Sequence, residues 1–270
     1  MNSGFRYKKV PSSRIATFDT FSIGLKKHHV AALLEFDVTE SRRKLQESRR
    51  GGINISFNGW LIKVIGSVLQ EHPETAAYLR GKRRLVIFSD INISILVEKV
   101  INNEKVPIPV VIEKANAKSA KEITAEIETA KSQEITSDDI VINRQRSLSE
   151  RLYYHLPGFV RRLIWKVMLA NPGFAYKKMG NAAVTSVGMI GKVNGWFIHR
   201  SVHPVSFGIG SVIKKPVVIN NEVKIRDILN MTILVDHDLV DGAPMVRMLK
   251  DLTEYIETGN FIKYASKDHS

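Results

Sequence analysis

Apolar and polar positions alternate along the chain in a way that predicts helices and strands in irregular succession. Apolar residues recur at helical spacing from Ile15 to Leu25. The run His28 to Thr39 predicts a strand, and Asp37 or Thr39 is placed to cap a basic helix, Glu40 to Arg50, that Gly51-Gly52 ends. From Ile53 to Gln70, Phe57, Leu61, Ile65, Val68 and Leu69 share a helical face, with Gly59 and Gly66 inside the helix and Pro73 beyond its end. Three β-rich runs follow, Leu85 to Phe88, Ile91 to Val97 and Val106 to Ile112, with Asn102-Asn103 as a turn signal between the last two. Ser119 to Ser132 predicts a helix, and Thr136 to Asp139 a cap or turn. Ala182 to Val187, Val205 to Ile209, Val212 to Asn220 and Met231 to Val235 predict strands, and Ala243 to Thr258 a closing helix. This irregular mixture indicates an α+β or mixed α/β fold.

One segment stands apart. Between Arg144 and Lys178 lie eight cationic residues, Arg144, Arg146, Arg151, Arg161, Arg162, Lys166, Lys177 and Lys178, against one acid, Glu150. Aromatic and aliphatic residues from Leu152 to Leu169 are interleaved with them. The segment suits an anionic membrane surface, an acidic carrier protein, a lid over a substrate channel, or a structural helix pair.

Composition adds constraints. The chain has 40 Lys and Arg against 27 Asp and Glu, a formal net charge of +13, which suggests an anionic partner. Nucleic acid is not expected, because no recognisable binding module accompanies the charge. The absence of cysteine excludes disulfides, thiolate metal sites and a cysteine nucleophile. The basic N-terminus has no apolar stretch behind it, and no apolar run approaches the ~20 residues that span a bilayer, so the expected setting is cytoplasmic.

The most informative stretch is Asp236-His237-Asp238-Leu239-Val240-Asp241-Gly242, which follows an apolar strand and precedes a helix. A histidine at a strand end is held by the sheet and open to a crevice, and it can serve as a general base near neutral pH. Asp241 lies four residues on, and Gly242 would permit a turn with positive φ. By spacing alone, a capping role competes with a catalytic one. His199 and His203 have a spacing that suits zinc on a helix, but their surroundings read as strand and loop and no third ligand is evident, so no metal is expected. His28-His29 reads as structural.

The same stretch resembles the DHRxxDG active-site motif of the 2-oxo acid dehydrogenase acyltransferases (the E2 catalytic domain), and is similar to the HHxxxDG motif of chloramphenicol acetyltransferase and condensation domains. Further matches occur in the family's order from about Arg14 to Phe261. Phe36-Asp37-Val38-Thr39-Glu40 resembles the family's DVTEL junction, and Asp90-Ile91-Asn92-Ile93-Ser94 resembles DINIG. Val106 to Val111 falls where the family has VVPVI, Thr185 to Gly191 resembles SNLGMFG, and Ser211 to Val218 is similar to a strand ending in PVV.

The resemblance implies a chloramphenicol acetyltransferase-like two-layer α/β sandwich assembled as a homotrimer, with active sites between subunits. It implies an acyltransferase that uses CoA or acyl-CoA as substrate, without a metal. His237 would be the general base, Thr185 or Ser186 the hydroxyl that stabilises the oxyanion, and Asp241 the aspartate that holds the active-site loop, with Arg14 as its partner. Lys214 and Lys215 would meet CoA phosphates. The implied catalytic domain runs over residues 14–261, with 1–13 as a leader and 262–270 as a polar tail. No lipoyl group is expected on this chain, so the acceptor would be a diffusing thiol, hydroxyl or amine compound or a separate carrier.

There are departures from the family pattern. Asp238 stands where these proteins carry arginine, and beside the base it would favour the protonated imidazole unless it points away. Thr185 replaces serine, and 141–178 is an insert. These keep a second reading alive, a catalytically weak trimeric scaffold or carrier-binding module.

Overall fold

The computed structural model describes residues 13–81, 83–101, 104–132, 153, 155–186 and 194–262, with Gly4, Arg6, Tyr7 and Val10 ahead of them. The turn expected at Asn102-Asn103, the cap expected at 136–139 and nearly all of the polar tail lie outside the described residues.

Eight strands, seven α-helices and one short 3-10 helix (Pro73–Ala76) are described. The strands are β1 (His29–Asp37), β2 (Tyr78–Arg80), β3 (Arg84–Val86), β4 (Ile93–Ile101), β5 (Glu104–Ile112), β6 (Ala182–Ser186), β7 (Val205–Ile219) and β8 (Glu222–Asp236). The helices are α1 (Ser13–Gly24), α2 (Thr39–Arg50), α3 (Phe57–Glu71), α4 (Ala120–Ser132), α5 (Gly158–Ala170), α6 (Pro172–Met179) and α7 (Gly242–Thr258). Six strands form one mixed sheet in the order β1-β8-β7-β6-β4-β5, and β2 pairs with β3 in a separate hairpin. The β6 strand runs parallel to both its neighbours; the other pairs are antiparallel.

Strand alternation divides the sheet into two faces. Ile93, Ile95, Val184, Phe207, Ile209, Met231, Ile233 and Val235 join one core with residues of α2, α3, α4 and α7. This is a two-layer sandwich. Leu33 and Leu96 stay exposed on the opposite face. The close fit of α3 to its neighbours depends on two glycines already visible inside the helical pattern. A Cβ on Gly59 would lie 2.2 Å from Thr124 Oγ1, and one on Gly66 would lie 2.9 Å from the Ala115 backbone.

Three expectations change. The two strands expected over 205–220 are one long strand, kinked by a register shift between Ile209 and Val212. β8 begins at Glu222, nine residues before the expected Met231. Its first part, with the paired end of β7, forms an arm in which Val218, Val223 and Ile225 are exposed, so no buried face marks it in the sequence. The cap position of α2 is Val38, which makes no side-chain cap, rather than Asp37 or Thr39; Asp37 Oδ1 accepts from Thr39 N–H at 3.0 Å, and Thr39 Oγ1 accepts from Asp227 N–H. The basic segment contains the helix pair α5 and α6.

Candidate active site

His237 follows the last residue of β8, on a turn whose backbone is tied on several sides. Its N–H donates to the His28 carbonyl at 3.0 Å, Asp236 N–H donates to Pro204 at 2.9 Å, and Leu239 N–H donates to Asp236 at 3.0 Å. Val240 is buried in the core and pins the far side of the turn. The His237 side chain is left exposed.

Two ion pairs flank it. Lys27 Nζ meets Asp236 Oδ2 at 2.8 Å, with the carboxylate side chain only 3% exposed. His28 Nδ1 lies 2.9 Å from Asp238 Oδ1. The hydrogen bond to Asp238, then its charge, raises the His28 pKa. Asp238 thus faces His28 across the β1–β8 edge, in a pair whose side chains are both exposed. Sequence reasoning missed Lys27, and it read His28 as structural. The available signal was the run Lys26-Lys27-His28-His29 at the start of one strand and the acid-flanked histidine at the end of another. Only the antiparallel pairing His29↔Asp236 brings the two together.

Among the described residues no ion pair joins Arg14 to Asp241, both of which are exposed, and Lys27–Asp236 ties the base of the turn. Gly242 does not adopt positive φ; it is the first residue of α7, and Asp241 before it is extended at φ −80° and ψ 176°. The turn is made by the bonds to Asp236, so the glycine's freedom is not used. Lys215 is paired with Glu35 at 2.5 Å, and Lys214 lies 3.6 Å from Asp227. Lys214 and Lys215 sit opposite Asp227 and Arg226 on β8, ten and eleven residues before His237, or roughly 30 Å or more along the strand.

Register separates the two hydroxyl candidates. Ser186 shares the helix-covered face with Ala182 and Val184. Thr185 lies on the other face, opposite Gly208, which in turn pairs with Thr232. The His199 ring lies over Gly208: a Cβ there would be 2.8 Å from Nδ1. His199 Nε2 bonds Ser206 Oγ at 2.8 Å, and His203 Nε2–H donates to Met179 O at 2.9 Å. Burial pushes both imidazoles down to about 4. Within one chain Thr185 and His237 are about 19 Å apart, counting ~3.3 Å per residue along β8 and ~4.8 Å per strand across.

The helix-backed mixed sheet is shared with solved acyltransferase cores. A probable dihydrolipoamide acetyltransferase from Listeria monocytogenes superposes with a TM-score of 0.67 over 99% of this chain and 98% of that one, at 21% identity. A truncated catalytic core of the 2-oxoacid dehydrogenase multienzyme complex from Thermoplasma acidophilum superposes with a TM-score of 0.64 over 95% and 100%, also at 21% identity. The chain belongs to the 2-oxoacid dehydrogenases acyltransferase (catalytic domain) family, whose profile matches residues 23–140 and 177–263. Among curated relatives, the lipoamide acyltransferase component of the branched-chain alpha-keto acid dehydrogenase complex of Bacillus subtilis is 23% identical over 85% of this chain, and the chain spans 47% of that protein's length.

Proposed function

We propose that this chain transfers an acyl group between a CoA thioester and a thiol, hydroxyl or amine acceptor. The observation that carries the proposal is the presentation of His237: its backbone is fixed by the sheet and two ion pairs, while its ring is open to a substrate. His237 takes the proton from the acceptor, whose heteroatom attacks the thioester carbonyl carbon. Thr185 donates a hydrogen bond to the resulting oxyanion. Collapse breaks the carbon–sulfur bond, and the departing CoA thiolate recovers the proton from His237.

The acceptor family suggested by the relatives' names is the dihydrolipoyl thiol, as in the dihydrolipoyllysine-residue acetyltransferase of Corynebacterium glutamicum. Thr185 is favoured over Ser186 by its place on the face away from the helices. A spacing agrees. Mechanistic work on the Azotobacter vinelandii dihydrolipoamide acetyltransferase names a serine, a histidine fifty-two positions later and an asparagine four further on. Thr185, His237 and Asp241 stand at the same intervals.

A distance of about 19 Å within one chain is too long for one tetrahedral centre, so His237 and Thr185 work together only between copies. A homotrimer, with His237 of one copy facing Thr185 of the next, satisfies this. Mass spectrometry of the protein with a panel of acyl-CoAs and thiol, hydroxyl and amine acceptors tests the reading. His237→Ala should abolish acylated product while leaving fold and oligomer mass unchanged. Thr185→Ala should lower kcat about 100- to 1,000-fold, and Ser186→Ala only a few-fold. CoA release that survives His237→Ala would overturn the mechanism, and no transfer from any donor would shift the assignment to a trimeric scaffold.

A further inference from the structure

The helix α5 lies between the two stretches matched by the family profile, so the shared fold does not account for it. None of its thirteen residues is buried. Trp165, Met168 and Leu169 turn inward and are half-buried. The opposite side carries Phe159, Leu163 and Val167, one row at i, i+4 and i+8, which are 68%, 57% and 63% exposed, with Ile164 beside them. Arg162 and Lys166 run along the flank of that row. Neither they nor Lys177 and Lys178 at the end of α6 form an ion pair among the described residues. The sequence holds no acid from 151 to 186.

The helix is nonetheless fixed to the body. Arg161 Nε meets Asp19 Oδ2 on α1 at 2.7 Å, with the carboxylate side chain 4% exposed. Tyr153 Oη donates to the same oxygen at 2.8 Å, and Trp165 Nε1–H donates to Tyr153 Oη at 2.9 Å.

We propose that α5 docks this protein on the surface of an anionic phospholipid bilayer. The apolar row enters the headgroup boundary, and Arg162, Lys166, Lys177 and Lys178 meet lipid phosphates and carboxylates. Charge complementarity favours this occupant: a cationic stretch without acids attracts an anionic surface of any sequence. At about 20 Å long the helix is too short to cross the ~30 Å hydrocarbon layer, so it lies on the surface. This surface is independent of the acyl-transfer reading.

Flotation of the full chain with vesicles tests it, using phosphatidylcholine alone and phosphatidylcholine with one quarter phosphatidylserine. The protein should float with the anionic vesicles and stay behind with the neutral ones. Arg162→Gln with Lys166→Gln should lower partitioning by roughly tenfold or more. Leu163→Ser with Val167→Ser should lower it by a similar factor without changing the oligomer mass. Equal recovery in the soluble fraction with both vesicle types would overturn the proposal, as would binding indifferent to both double substitutions. A fall in oligomer mass caused by Leu163→Ser with Val167→Ser would also overturn it and assign the row to another copy of the chain. An acidic protein as the true occupant would show as no flotation with either vesicle.

Discussion

The helices α3 and α5 are similar in length and are both rich in apolar residues, yet ten of the fifteen residues of α3 are buried and none of the thirteen of α5. α3 lies in the core with α4 and α7 over the sheet, and Trp60, Leu61, Ile62, Val64 and Ile65 are at most 2% exposed. α5 is tied to α1 through the buried carboxylate of Asp19. Helical periodicity states that a segment has an apolar face. It does not state whether the rest of the chain offers a surface to cover that face.

The largest expected contrast is in the response to truncation. Ile65→Ala should cost about 2–5 kcal/mol, because the surrounding core cannot collapse around the missing side chain. Leu163→Ala should change stability by no more than about 0.5 kcal/mol, since the side chain is 57% exposed. Urea unfolding of both variants measures this. A comparable loss at Leu163 would mean that α5 is buried against another copy in solution.

Next is the anchor. Asp19→Ala leaves Arg161 and Tyr153 facing a vacant partially buried site and should cost about 3 kcal/mol, felt locally. Hydrogen exchange should speed in 158–170 while the amides of α3 keep their protection. Equal loss of protection in both helices would show that the addition and the core unfold as one unit.

These contrasts show what the sequence could disclose. The regular core face of α3 and the strand–His237–helix order of the site are both local patterns, and both are present where expected. The anchors of the site are not local. Lys27 and Asp236 are 209 residues apart and meet only through the register of β1 on β8. Arg14 and Asp241 shared no local pattern that could have tested their pairing. The first part of β8 was illegible because both sides of the arm are exposed and charged residues interrupt the alternation. The same limit applies to α5, where apolar residues point both inward and outward.

Acidification should act on the junction between the addition and the sheet. His203 donates to the carbonyl of Met179, the last residue of α6, and its pKa is pushed down to about 4 by burial. Below its unfolded value near 6.5 the unfolded chain binds the proton and the folded chain does not, so stability falls as pH drops from about 6.5 to 4. The loss from this group should be roughly 3 kcal/mol across that window. Thermal melts from pH 7.5 to 4 should show a fall in Tm that flattens in His203→Gln. An unchanged pH slope in that variant would assign acid sensitivity to other groups.

The smallest contrast uses one glycine from each helix. In Gly59→Ala the new methyl would meet Thr124 Oγ1 at 2.2 Å and Thr124 Cα at 3.1 Å. That hydroxyl accepts from Ser56 N–H and donates to the Ala120 carbonyl, so it cannot turn away without losing bonds. The helices α3 and α4 would have to separate, at a cost of about 1–3 kcal/mol. In Gly158→Ala, at the start of α5, the nearest atom would be the mobile guanidinium end of Arg162 at 3.2 Å. The backbone there needs no positive φ, so reduced freedom of the unfolded chain should make the change neutral or stabilising by up to about 1 kcal/mol. Opposite signs in paired urea titrations would confirm that one helix is packed without slack and the other carries free surface. A destabilising Gly158→Ala would place a further chain against the start of α5.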